Sequence, residues 1–217
     1  MRKFLYCQPF GTGYVGRGIN DGGAKVSVPL SEIRGAISWP DGAYPGYWCV
    51  FGKLFAKNPL GRSPLVFLAE GESVFATPLM DAVTDAATKF RAHTIYADRG
   101  SFDARGWQGF YTDLYDHINS KNLNVDLFPA VAADDEPYGI VLIQEYFRGS
   151  LLDIPKDVYT IIMDHIKEMT TETNDFKPFY AFKALRYLLA GFQKFESPVI
   201  DELLTKRRVS PSADAWT

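Results

Sequence analysis

Cysteine is almost missing from this chain: its 217 residues include two, Cys7 and Cys49. A disulfide framework is therefore excluded, and two reduced thiols are the expected state, although a single bridge between them stays open. Histidine is equally scarce, and His93, His117 and His165 are too far apart to form a zinc motif. No run approaches the roughly 18 apolar residues of a membrane span. The charged start at Arg2 and Lys3 is followed by no long apolar stretch, which argues against a signal peptide. A soluble, cytoplasmic protein is expected. An excess of positive charge is also missing: 23 basic residues against 26 acidic ones leave a net charge of −3. That balance speaks against a general nucleic-acid binder and leaves room only for a local basic patch.

Apolar and aromatic residues are abundant, at 47% and 15% of the sequence, enough for the core of one sizeable domain. Gly11, Gly13 and Gly16 spell a G-x-G-x-x-G motif. A dinucleotide loop of this kind must open into a helix whose amides hold the pyrophosphate. The continuation through Gly18, Gly22 and Gly23 cannot propagate a helix, so residues 1–24 read as a glycine-rich leader or extended arm.

From Lys25 the pattern becomes regular. Residues 25–29, 33–39, 47–55 and 65–69 are aromatic and β-branched, with turns at Pro40-Asp41-Gly42 and Asn58-Pro59. They read as an antiparallel meander. Thr77 and Pro78 open a predicted helix to Phe90, with threonine as its cap. A strand at 93–97, a helix at 106–119 and strands at 125–131 and 139–146 follow. Helices are expected at 155–169 and 179–195. The fold class is therefore α/β: a mixed sheet, antiparallel meander plus parallel strands, flanked by helices. Residues 25–196 form the expected domain, and 197–217 read as a flexible tail.

Three stretches carry a family resemblance. HTIYADRGSFDARGWQGFYTDLYDHI (93–118) resembles a segment in which a strand ends on an acidic residue and a helix follows. FYAFKALRYLLAGF (179–192) is similar to a closing helix with an Asp-Ala-Leu-type motif, and GAISWPDGAYPGYWCVFGKLF (35–55) to a first hairpin with Asp-Pro. Together they resemble the nuclease domain of phage large terminases, of the ribonuclease H-like superfamily. The resemblance implies metal-dependent cleavage of double-stranded DNA during genome packaging, with Mg or Mn as cofactor. It also implies a terminase ATPase or portal protein as partner. The family's metals need carboxylates from the first strand, the fourth strand and the last helix.

Carried over by position, the candidates are Asp98 at the fourth strand and Asp41 near the first, both as metal ligands, with Asp175 before the last helix as a third catalytic candidate. Asp98 also reads as a turn aspartate, Asp41 as a Pro-Asp-Gly turn residue and Asp175 as a helix cap. Two of the family's three acidic sites have changed: Trp39 stands at the first, and on the last helix Lys183, Phe179 and Tyr180 stand where the family carries acids. Activity is expected to be weakened, and a catalytically silent docking module is the alternative. Glu70 and Glu72 flank Gly71 at a position that could approach the same edge. Asp134, Asp135 and Glu136 form an acidic loop that reads as a solvated turn. Lys53, Lys57 and Arg62 are the candidate contacts to DNA phosphates, and read equally as protection of a strand edge.

Overall fold

The computed structural model describes residues 3–10, 13–19, 25–55, 62–98, 105–130, 136–154, 159–168 and 178–193. Eight strands and five helices alternate in the order β1(Lys3–Phe10), β2(Gly13–Ile19), β3(Lys25–Ser38), β4(Gly46–Leu54), β5(Leu65–Ser73), α1(Ala76–Phe90), β6(Thr94–Ala97), α2(Arg105–Ser120), β7(Asp126–Pro129), α3(Glu136–Arg148), β8(Leu152–Asp153), α4(Ile161–Glu168) and α5(Tyr180–Gln193) among the described residues.

The meander β3-β4-β5 is antiparallel throughout. β6 then joins the open side of β3 in parallel, and β7 joins β6 in parallel. The central order β5-β4-β3-β6-β7, with these directions, is the mixed sheet of antiparallel meander plus parallel strands expected from the sequence. β8 extends it beyond β5, and the β1–β2 hairpin pairs with the first half of β3.

Alternation along β4 shows why the sheet is covered twice. Trp48, Val50 and Leu54 enter a core with Leu79, Val83, Ala87 and Phe90 of α1 and Leu114 and Ile118 of α2. Tyr47, Cys49 and Phe51 point the other way, into a second core with Leu142 of α3, Ile162 of α4 and Leu185, Leu188 and Phe192 of α5. Such a strand reads as a continuous apolar run because neither face meets water. α5 lies flat on the sheet, and Gly191 lets it do so. A Cβ there would stand 2.3 Å from the Tyr96 ring. Buried Arg34 of β3 ties the two together, donating to the Gly191 carbonyl at 2.8 Å and the Tyr96 hydroxyl at 2.6 Å while pairing with Glu32.

Several local expectations are corrected. Residues 139–146 are helical, inside α3. Gly139, Leu142, Ile143 and Tyr146 follow a helical spacing that a short β-branched run conceals, and the last three are buried. Residues 25–38 are one strand with an irregularity between Leu30 and Glu32, where two were expected. Part of the glycine-rich leader enters the sheet as β2, a strand where a phosphate loop would need a helix. α1 begins before Thr77: its cap is Phe75, with no side-chain hydrogen bond, because the chain turns one residue earlier at Ser73–Phe75. The helix expected from Pro155 starts at Ile161, and β8 precedes it. The tail at 197–217, Asp134 and Asp135 lie outside the described residues, as do the side chains of Cys7 and Glu136. Cys49 is a buried free thiol, and burial pushes its pKa well up. Among the described residues no helix is long and apolar enough to cross a membrane.

Candidate functional site

β3 and β6 run parallel as neighbours, so the residues that follow them emerge side by side at one end of the sheet. Crevices beyond the carboxyl ends of parallel strands are where α/β sheets bind ligands. Here Asp98 follows β6 and Trp39 follows β3. The Trp39 indole N–H donates to the Asp98 carbonyl at 2.7 Å, so the tryptophan braces the end of β6.

The Asp98 side chain is buried. A buried carboxylate needs charge compensation and hydrogen bonds, and α5 supplies both. The Tyr187 hydroxyl donates to Asp98 Oδ2 at 2.7 Å, and Lys183 Nζ stands 3.7 Å from the same oxygen. Lys183 and Tyr187 are four residues apart, hence on one face of the helix. Burial first, and the Asp98 charge second, push the Tyr187 phenol well above its usual pKa, so it remains a donor.

Above this pair opens a cleft of ≈260 Å³, with Lys183, Arg186, Tyr180, Phe179, Tyr44 and Asp41 in its lining. Asp41 is exposed, and its carboxylate accepts the amides of Ala43 and Tyr44 at 3.0 and 2.8 Å, forming the turn that closes one side of the cleft. Asp41 and Asp98 thus come to the same end of the sheet. Asp175 and Lys57 lie outside the described residues.

The basic candidates lie elsewhere. Lys53 is about six residues along β4 from Tyr47, the partner of Ser38, or roughly 20 Å down the strand. Arg62 precedes β5, whose first residue Leu65 pairs with Lys53. Both therefore belong to the opposite end of the sheet from Asp98.

Glu70 and Glu72 do reach the Asp98 end, but each is engaged. Glu70 accepts the Tyr47 hydroxyl and the amides of Ile161 and Ile162 at 2.6 and 3.4 Å, so it fastens the start of α4. Burial raises its pKa against the pull of those hydrogen bonds. Glu72 accepts the hydroxyl of Tyr180, whose own pKa is raised by burial and by that carboxylate.

The Mg or Mn pair implied by the resemblance does not fit this donor set. Among the described residues no three His, Cys, Asp or Glu side chains converge as a metal site. Asp98 faces an ammonium, and Asp41 is spent on its own turn. Lys183 was legible from the motif. Tyr187 and Arg186 were not singled out, and the signal that could have found them was polar residues recurring at helical spacing on an otherwise apolar helix.

No family model and no curated protein matches the chain. Among solved structures it is similar to the large terminase nuclease of a thermophilic phage, crystallised with bound zinc. Their TM-score is 0.47 at 10% identity, covering 89% of this chain and 94% of that one. It is also similar to the fowlpox virus Holliday junction resolvase, with TM-score 0.44, 9% identity and 75% and 99% coverage. The yeast mitochondrial Holliday junction resolvase follows at 0.41 and 7%, with 76% and 84% coverage.

Proposed function

We propose that this chain is a ribonuclease H-like module of the nuclease lineage that engages DNA without efficient cleavage, serving genome packaging by holding rather than cutting. One observation carries the reading: the Lys183 ammonium stands 3.7 Å from the Asp98 carboxylate and supplies positive charge that a divalent ion would otherwise bring. A two-metal hydrolase needs several carboxylates whose negative charge is open to cations. Here that charge is met from within the chain. Lys183, 29% exposed, and the buried Arg186 both line the cleft, so a phosphodiester backbone approaching it would meet basic side chains chiefly at Lys183.

A second role, docking on a packaging ATPase or a portal protein, has its own support. Val74 and Phe75, adjacent at the β5–α1 junction, are 64% and 68% exposed.

The test is incubation of supercoiled plasmid with wild type and Asp98→Ala in manganese or magnesium, beside a duplex gel-shift in EDTA. Equal inactivity of the two proteins with a retained shift is expected. Nicking by wild type that Asp98→Ala abolishes would overturn the non-cutting assignment, and no shift at all would remove DNA as the ligand.

A further inference from the structure

His165 of α4 lies on the seam with α5 and is 8% exposed. Rings at the start of α5 enclose it: Tyr180 at 4.7 Å between centroids, Phe179 at 5.7 Å and Phe182 at 6.1 Å, the first two nearly perpendicular to the imidazole. Its Nδ1 has no hydrogen-bond partner among the described residues. The neutral ring tolerates this in the tautomer that carries its hydrogen on Nε2, because Nδ1 is then an uncharged acceptor. A proton turns Nδ1 into a cationic N–H with nothing to receive it, walled by apolar rings.

The charged groups that face the ring do not offset that cost. Glu168 and Asp164 come from α4 itself and Glu72 from β5, while α5 adds the Tyr180 phenol. Asp164 pairs with Lys167 at 3.4 Å, Glu72 accepts the Tyr180 hydroxyl, and Glu168 is exposed to water. All three carboxylates favour the proton, but burial outweighs them and holds the imidazole below its ordinary 6.5.

α4 has little of its own to keep it folded. Eight residues are too few for a helix to persist alone in water. Its anchors are the Glu70 carboxylate at its first amides and the buried Ile162 and His165. Loss of the His165 contact therefore undoes the whole element. We propose that the α4–α5 seam is an acid-opened latch: a proton on His165 Nδ1 expels the ring from its aromatic cage, releases α4 and slackens the Phe179–Tyr180 wall of the cleft.

The closed seam binds this proton less readily than the released helix, so it is unaffected well above pH 6.5 and weakens as pH falls below that value. Between pH 7.5 and 5.5 the ratio of open to closed can rise by about tenfold at most. Glu70 and Asp153, whose pKa values are raised, act in the opposite direction and favour the fold as acid increases. A loss of protection in acid therefore cannot come from them.

The test is hydrogen exchange of the full chain at pH 7.5 and 5.5, read by mass spectrometry and corrected for the intrinsic rate. Protection of residues 161–168 is expected to fall about five- to tenfold at the lower pH while that of α1 holds. His165→Phe keeps a ring in the cage but cannot take a proton, and should abolish the fall. Unchanged protection of α4, or a fall that persists in His165→Phe, would overturn the latch. Wild type alone gives a second check should the phenylalanine not fit. In a proton NMR titration of the three histidines, one midpoint below 6.5 is expected, and all three at or above it would also overturn the latch. The probe is the proton alone, so neither result bears on whether the cleft holds DNA.

Discussion

Replacing Lys183 by glutamine leaves Asp98 in place with its tyrosine partner and removes only the ammonium. Two unit charges at the observed 3.7 Å separation attract by about 4 kcal/mol at an effective dielectric near 20, an upper bound for this pair. The lysine side chain is 29% exposed and the aspartate side chain 6%, so water screens one partner and hardly reaches the other. Loss of a partner from a fully buried pair costs roughly 3–5 kcal/mol. With one partner partly in solvent and Tyr187 still donating, about 2 kcal/mol is the reasoned figure, or a fall in Tm of roughly 4–8 °C for a chain this size. Thermal unfolding at pH 7 of Lys183→Gln, Asp98→Asn and the double variant measures it. The asparagine side chain of Asp98→Asn keeps an acceptor for Tyr187 but carries no charge, so it should rescue Lys183→Gln, with a coupling of about 1–2 kcal/mol. Strictly additive losses, or a Lys183→Gln protein as stable as wild type, would refute the claim that the ammonium compensates Asp98.

Asp153 of β8 is held up to about 6 by burial, from an ordinary 3.8. A raised carboxylate pKa stabilises the fold below 3.8 and loses that contribution as pH climbs through about 6. The full rise is worth roughly 3 kcal/mol, reduced by partial exposure to about 1, so Asp153→Asn should be the more stable protein at pH 7 and level with wild type at about pH 3 in urea unfolding. Gly191→Ala should cost about 2 kcal/mol or more, because the Tyr96 ring has no room for the methyl; an unchanged urea midpoint would deny the close packing of α5. Trp39→Phe keeps the buried ring and loses the bond to the Asp98 carbonyl, at about 1–2 kcal/mol by the same assay. Wild-type Tm should move by less than about 1 °C between excess EDTA and millimolar manganese; a clear rise would mean that the chain does assemble a metal site.

The sheet was legible because its strands are punctuated by strong turn residues and its helices by a change of period. Pro40-Asp41-Gly42 ends one strand, and Leu79, Val83 and Phe90 repeat at helical spacing. α3 was missed for the opposite reason. Ile140-Val141-Leu142-Ile143 satisfies strand and helix patterns alike, and only the partner surface on α5 decides between them. β8 was invisible because two residues carry no period at all. At the site, the motif located Asp98 and marked Lys183 as out of place. It could not show that the two meet, since the hydroxyl and the ammonium that satisfy Asp98 come from 85 and more residues later in the chain. The basic residues near β4 were grouped by proximity in sequence, and the antiparallel meander carries Lys53 and Arg62 to the far end of the sheet.

The residues around Asp98 make physical sense together rather than singly. A carboxylate buried at the end of a parallel strand cannot stay charged alone, so the fold must supply a cation and a hydrogen bond. Lys183 supplies the cation from α5, and Tyr187 one turn on supplies the hydrogen bond. Trp39 then fills the space at the end of β3 and pins the Asp98 backbone. With Asp98 met by Lys183 and Tyr187, and Glu70 and Glu72 by the hydroxyls of Tyr47 and Tyr180, each of these carboxylates at this end of the sheet is engaged from within the chain. On the reading proposed above, binding rather than cutting follows from that charge balance.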